Sequence, residues 1–238
     1  MRITVINGSM RHGSTWRCKE EFLKALAKYG ETKVTQFMLP KDMPNFCRGC
    51  FSCFYKGEDT CPDAQLTAPI VKSLEESDVI VITSPVYALA VSGQLKALFD
   101  HLCFMWLSHR PSPAMFDKTG VIFTTTAGMG AGAAAKTIKS SMSFWGVKRI
   151  FVFKKAVSAM RWDDIKDKKK ANILKTTANM AKKATRAVER KEKLSHRLTF
   201  RFMFGLMKGA QKKNDWNLCD RNHWEEQGWL SGKSPFRR

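Results

Sequence analysis

Arg2-Ile-Thr-Val-Ile6 followed by Asn7-Gly-Ser-Met-Arg-His-Gly-Ser-Thr15 opens the chain, and the way the first segment runs into the second decides the fold. Apolar and β-branched residues make 2–6 a strand. Small polar residues and glycines end it, and a helical pattern begins near Ser14. A strand that passes through such a loop into a helix builds an anion site. The first N–H groups of the helix have no intrahelical partner, and the positive end of its dipole faces the loop. Ser9, Ser14 and Thr15 add hydroxyl donors and Arg11 a fixed positive charge, a set suited to a phosphate monoester. No Gly-Lys-Ser/Thr follows, which argues against a P-loop, and no G-x-G-x-x-G, which argues against a dinucleotide turn. An ordinary strand–helix turn with Ser14 as its capping residue would use the same residues.

Outward from this stretch, strand patterns recur at 33–38, 78–83, 119–124 and 149–154. Helical patterns stand between them at about 14–29, 64–76, 92–107 and 131–145. Asp78-Val-Ile-Val-Ile-Thr83 is almost continuously apolar, as a strand covered on both faces should be. Strict alternation of strand and helix implies a parallel sheet. Five strands with an anion loop after the first match a flavodoxin-like α/β winding, a three-layer sandwich with a five-stranded parallel sheet. Ligands of such sheets sit beyond the carboxyl ends of the strands, which selects loops 7–15, 84–92 and 125–132.

In the second loop, Ser84-Pro-Val-Tyr-Ala-Leu-Ala-Val-Ser92, Pro85 stiffens the backbone and Tyr87 offers an aromatic face among small residues. A flat heteroaromatic ring would find contact there, although Tyr87 also suits a half-buried loop. Ser92 then caps a helix in which Lys96 and Asp100 stand one turn apart. The third loop, Thr125-Thr-Ala-Gly-Met-Gly-Ala-Gly132, lets backbone approach a ligand closely at the start of the next helix, or is a mobile linker.

The three loops together resemble the flavodoxin-like NAD(P)H-dependent FMN reductase family. The resemblance rests on Asn7 to Thr15, Ser84-Pro-Val-Tyr87 with Ser92-Gly-Gln-Leu-Lys96 and Asp100, and Thr125-Thr-Ala-Gly128, and covers about residues 1–155. It implies that Ser9, Arg11, Ser14 and Thr15 hold the FMN phosphate. Pro85, Val86, Tyr87 and Ala88 would line the isoalloxazine, and Thr126, Ala127, Gly128 and Met129 would face its pyrimidine side. It also implies NAD(P)H as electron donor and a homodimer. No side chain is expected to be catalytic, because the cofactor carries the chemistry. His12 and His101 read as structural, with His12 close enough to the loop to reach a phosphate.

Cys47-Arg-Gly-Cys-Phe-Ser-Cys-Phe-Tyr-Lys-Gly-Glu-Asp-Thr-Cys61 has the spacing C-x2-C-x2-C-x7-C. Cys47, Cys50, Cys53 and Cys61 so spaced can surround a 4Fe–4S cluster, bind a zinc ion, or simply pack as four thiols. The motif resembles the cysteine motif of the iron–sulfur flavoproteins, with a final gap at the long end of that pattern. Cys18, Cys103 and Cys219 read as ordinary thiols.

The 238 residues suffice for one domain with an extension, divided as 1–158, the FMN-binding unit, and 159–238, a basic and mostly helical part. Net charge is +20, but residues 1–135 hold 14 Lys/Arg against 12 Asp/Glu, and residues 136–238 hold 27 against 9. A helical pattern over 163–194 places Ile165, Leu174, Ala178, Ala181, Ala184 and Val188 near one face, and an apolar, aromatic segment, Leu198 to Met207, follows. Residues 163–213 could meet an anionic membrane surface or an acidic partner, or be a solvated helix packed on the core or on a second subunit. No nucleic-acid motif appears, so a nucleic-acid partner is not expected. The longest apolar run is far short of the roughly 20 residues that span a bilayer. The chain lacks a signal-peptide pattern, which suggests a cytoplasmic protein with reduced thiols.

These features predict an FMN-dependent NAD(P)H oxidoreductase passing electrons to a small acceptor such as a quinone or flavin. The alternatives are an iron–sulfur flavoprotein or flavodoxin-type carrier between partner proteins, and a redox-sensing module that binds through its basic segment.

Overall fold

The computed structural model describes residues 1–159 and 161–236. Five strands, β1 (Arg2–Asn7), β2 (Lys33–Met38), β3 (Val79–Pro85), β4 (Thr119–Thr126) and β5 (Arg149–Ala156), form one parallel sheet in the order β2-β1-β3-β4-β5. Alternation along the strands sorts their side chains to two faces. Ile3, Val5, Val79, Val81, Val121, Phe123 and Phe153 pack with Cys18, Phe22 and Leu26 of α1 (Ser14–Ala27). Ile6, Ile80, Ile82 and Ile122 pack with Ile70 and Leu74 of α3 (Ala64–Glu76), and with Leu95 and Leu98 of α4 (Gly93–His101). Ile138 and Met142 of α5 (Ala131–Phe144) complete that face. A single turn, α2 (Ser52–Tyr55), lies between β2 and α3. The chain thus has the flavodoxin-like three-layer fold.

Residues 161–236 contribute to both of these cores. In α6 (Asp167–Glu189), Ile173, Met180, Ala181 and Ala184 are buried beside α1. Two fully buried side chains the size of Ile173 and Met180 are worth roughly 1.5–3 kcal/mol each, a large fraction of the ~5–15 kcal/mol by which a domain is stable. Helix α6 is therefore part of the sandwich. The expected stripe through Leu174 and Ala178 is corrected here, since both are exposed. Alanines at many positions of this helix offer two competing stripes, and the one containing Ile173, Thr177 and Met180 is chosen because it holds the larger apolar volume.

The segment after α6 forms α7 (Leu198–Lys212) and α8 (Leu218–Glu226) on the opposite face of the sheet. Phe204, Trp224 and Trp229 join Phe116 and Trp145 in that core, with Phe116 and Trp229 stacked at 5.8 Å between centroids. The helix expected over 92–107 ends at His101 and tightens into a 3₁₀ turn at Leu102–Met105. No helix among the described residues is long and apolar enough to cross a membrane.

His196 stacks on Phe200 at 5.0 Å and meets Phe116 edge-on. Burial, reinforced by the nearby Lys148 ammonium, pushes its pKa down to about 4 from 6.5. The folded state thus prefers the neutral ring. The stability this confers is complete above pH 6.5 and is lost as pH falls toward 4. His196→Phe should therefore flatten the fall in urea midpoint between pH 7 and pH 4.5, and an unchanged pH profile would contradict this.

Candidate functional site

The loop after β1 is fixed at its first residue. The Gly8 N–H donates to the Thr83 carbonyl at 2.8 Å, and a Cβ on Gly8 would stand 2.6 Å from that oxygen, so only glycine fits. Ser92 Oγ donates to the Gly8 carbonyl at 2.5 Å, and the Ser92 N–H donates to Ser84 Oγ at 3.0 Å. Ser92 stands at the N-cap of α4 as expected, but its hydroxyl ties the loop instead of capping the helix. Ser9 Oγ accepts from the Arg11 N–H at 3.2 Å and lies 3.1 Å from the Tyr87 hydroxyl. Gly13, not Ser14, is the N-cap of α1, and no side chain caps it. The first N–H groups of α1 are thereby left for a ligand.

The ring loop is held in a strained turn. Tyr87 and Ala90 exchange both backbone hydrogen bonds at 3.0 Å, which places Ala88 and Leu89 at φ of 47° and 63°. Left-handed backbone at residues with a Cβ costs about 1–2 kcal/mol each. Close packing against the glycine loop holds this conformation. Gly130 has φ of 91°, and a Cβ there would fall 2.6 Å from Val86 Cγ1 and 2.8 Å from Leu89 Cα. Thr126 Oγ1 donates to the Met129 carbonyl at 2.7 Å and accepts from the Gly128 N–H at 3.2 Å, so the loop is ordered. Thr15 and Thr125 join the first and third loops through hydroxyls 2.7 Å apart.

Between the loops lies a cavity of about 330 Å³, within the range of cofactor sites. Ser9, Arg11, Ser14 and Thr15 line it, as do Pro85, Val86, Tyr87, Thr126 and Ala127. Ala88, Gly128 and Met129 do not line it, and Met129 is an exposed residue of the loop. Trp16, Thr83, Thr125, Val157 and Ala159 also line it. The last two follow β5, and the rule that ligands sit beyond strand ends would have found them. Hydroxyls, a guanidinium and a helix N-terminus at one end, with Pro85, Val86, Ala127 and Val157 elsewhere, fit a ligand with a phosphate and a flat ring. His12 does not line the cavity; it stacks on Trp16 at 4.0 Å. Removing the loop's guanidinium should lower flavin affinity. Arg11→Ala should weaken FMN binding by roughly 10- to 100-fold, the value of one charge-assisted bond, measured by quenching of flavin fluorescence.

The four cysteines of the 47–61 loop border one small cavity of about 50 Å³ with Asp63, Asp100 and His101. Cys47 and Cys50 are exposed, and Cys53 and Cys61 partly buried. Burial pushes the Cys53 thiol up to about 11, and the neighbouring Cys61, Cys47 and Cys50 act in the same direction. Cys61 is raised by burial and then by Asp63, Cys50 and Cys47. Hydrogen bonds from Ser52 lower Cys50. Four thiols that feel one another in this way would repel as thiolates, and a cation or cluster relieves the repulsion. An all-sulfur donor set suits zinc or an iron–sulfur cluster. Cys61, Asp63 and His101 also present ligand atoms within 4.8 Å of one another. Asp63, however, is already bonded to Asn45 at 2.5 Å and to His101 at 3.0 Å, and His101 Nδ1 meets the Ala97 carbonyl at 2.8 Å. The pair therefore supports the loop from beneath.

A buried cation with no local motif to mark it ties this loop to α8. Arg110 Nη1 donates to Asp220 Oδ1 at 2.5 Å, with both side chains almost fully buried. The same guanidinium donates to the Cys53 carbonyl, and to Glu58 Oε2 at 3.2 Å. Asp220 Oδ2 further accepts from Asn217 at 3.0 Å and lies 2.7 Å from His109 Nδ1, and Phe54 packs on the His109 ring at 4.3 Å.

Comparison with known proteins agrees with this geometry. The chain is similar to an iron–sulfur flavoprotein of Archaeoglobus fulgidus, 27% identical over 150 residues, or 61% of this chain and 63% of that one. An iron–sulfur flavoprotein of Methanocaldococcus jannaschii is 38% identical over 101 residues, or 42% of this chain and 51% of that one. The chain thus spans about half to two thirds of the length of these curated relatives. Among solved structures, the FMN-dependent NADH-azoreductase of Bacillus anthracis in complex with FMN shares the fold. Its TM-score is 0.57 at 10% identity, covering 77% of this chain and 99% of that one. The family model described as NADPH-dependent FMN reductase matches residues 1–162, the span that carries all three cavity loops and the cysteine motif, and the chain belongs to that family.

Proposed function

We propose that the protein is an FMN-dependent NAD(P)H oxidoreductase that passes electrons to a small acceptor such as a quinone or a second flavin. The observation that carries this reading is the cavity between the three strand-end loops, with anion donors at the end of β1 and an apolar, aromatic wall after β3. Ser9, Arg11, Ser14, Thr15 and the first amides of α1 bind and orient the phosphate. Pro85, Val86 and Tyr87 pack against the ring, with the strained Ala88-Leu89 turn fixing their position, and Thr126 and Ala127 supply backbone on its far side. FMN, when bound, supplies the redox chemistry, taking two electrons from a nicotinamide and returning them to the acceptor. No side chain acts as acid or base in this reading. Leu89 is 60% exposed and Met129 76% exposed, and together they offer an apolar rim for an incoming ring.

Cys47, Cys50, Cys53 and Cys61 would hold a 4Fe–4S cluster, a reading supported by their place around one small cavity and by the relatives named iron–sulfur flavoproteins. With a cluster present, electrons could leave toward a partner protein, which makes a carrier the second reading. A homodimer completing the cavity rim accords with the apolar residues there. Anaerobic mixing of FMN-loaded protein with NADPH or NADH, then with a quinone, tests the proposal. Flavin bleaching followed by many turnovers is expected. Flavin that neither nucleotide bleaches, but that a separate reductase does, would replace the enzyme with the carrier.

A further inference from the structure

The outer face of α7 is apolar where a solvated helix would be polar. Leu198, Phe202 and Leu206 recur every four residues and so share one stripe, and they are 80%, 67% and 49% exposed. Gly205 and Gly209 lie beside them, and a Cβ added to either would meet nothing within 4 Å. The opposite face, with Phe200, Met203, Phe204 and Met207, already packs on the core. The outer stripe is therefore not left over from folding, and an apolar stripe of this kind marks an interaction surface.

Beside the stripe is an open cavity of about 460 Å³ lined by Arg201, Lys208, Lys233 and Ser234, with Phe202 and Phe236 as its apolar wall. None of these three cations has a carboxylate partner among the described residues. Residues 193–214 contain six Lys/Arg and no Asp or Glu. A second copy would bring the three cations of this cavity against their own counterparts, which opposes self-association. A nucleic acid would satisfy the cations but leave Leu198, Phe202 and Leu206 in water. One surface answers both halves, phosphates for the basic cavity and hydrocarbon for the stripe.

The geometry points to α7 and the Arg201–Lys208–Lys233 cavity as a docking face for an anionic phospholipid membrane, with headgroup phosphates in the cavity and the Leu198–Phe202–Leu206 stripe at the acyl boundary. The face lies apart from the flavin cavity and the cysteine loop, none of whose lining residues it shares, so it stands whether or not the flavin reading does.

Cosedimentation of the full-length protein with vesicles of phosphatidylglycerol and phosphatidylcholine, against phosphatidylcholine alone, tests it. Binding is expected only to the anionic vesicles and should collapse at about 1 M salt, where the Debye length is about 3 Å. Lys208→Gln with Lys233→Gln should lower partitioning by tenfold or more, on the scale of ~1 kcal/mol per cation. Phe202→Ser with Leu206→Ser should lower it by about tenfold or more. Both pairs are accessible at the surface, so flavin content and circular dichroism should be unchanged. Equal binding to both vesicle types would overturn the proposal. So would loss only in the lysine pair, which points to an acidic partner held by charge alone. So would concentration-dependent self-association abolished by the apolar pair without vesicle binding, or retention on DNA but not on vesicles.

Discussion

Cys53→Ser should strip the iron from protein purified without oxygen and leave its flavin in place. Iron is expected to fall from about four atoms per chain, the content of one 4Fe–4S cluster, to near zero, with loss of the broad visible absorbance beneath the flavin bands. Cys53 is the most telling of the four positions. It is partly buried, Cys47, Cys50 and Cys61 all act on it electrostatically, and its carbonyl is held by Arg110. A serine hydroxyl does not deprotonate there, so the fourth ligand is lost outright. No residue of the 47–61 loop lines the cavity between the strand-end loops, which is why FMN should remain. Cys18→Ser, on the buried face of α1, should change neither count. Unchanged iron in Cys53→Ser would remove the cysteine loop from the account, and zinc in place of iron in the wild type would keep the ligands and replace the metal.

Arg110→Met should destabilise the protein by about 3–5 kcal/mol, because it leaves the Asp220 carboxylate buried without its cation. For a chain of this size that is roughly a 10 °C fall in melting temperature. The Asp220 side chain is 2% exposed and the Arg110 side chain 6%, so water cannot take over the lost bonds. The same guanidinium spans from α8 to Cys53 and Glu58, hence amide exchange over residues 52–60 should accelerate more than the global loss of stability explains. Arg110→Lys keeps the charge but not the fork of donors, and should recover part of the stability with little of the loop protection. A change of under about 1 kcal/mol in urea melts would mean that the contact is incidental.

Much of the fold was legible because it is written in short periods. The nearly continuous apolar runs at Ile3 to Ile6 and Val79 to Ile82 report strands covered on both faces, and the five expected strands lie within two residues of the observed ones. Loop chemistry was legible for a related reason. Small residues, glycines and hydroxyls gather at these strand ends, and nine of the twelve residues expected at the site line one cavity. What the sequence concealed depends on pairing across long separations. Arg110 and Asp220 stand 110 residues apart, and neither carries a local sign that it will be buried. The stripe of α6 was ambiguous because alanine occupies positions on both candidate faces. The residues after 190 read as an aromatic, basic run, and only packing separates Phe204, which is buried, from Phe202, which is not.

Titration of the flavin-depleted protein with FMN, followed by fluorescence quenching, tests most directly whether the cavity at the ends of β1, β3 and β4 is a flavin site. Stoichiometric, tight binding of one FMN per chain, weakened by roughly 10- to 100-fold in Arg11→Ala and abolished in Gly8→Val, is the predicted result. Absence of saturable binding, or binding indifferent to both substitutions, would contradict it.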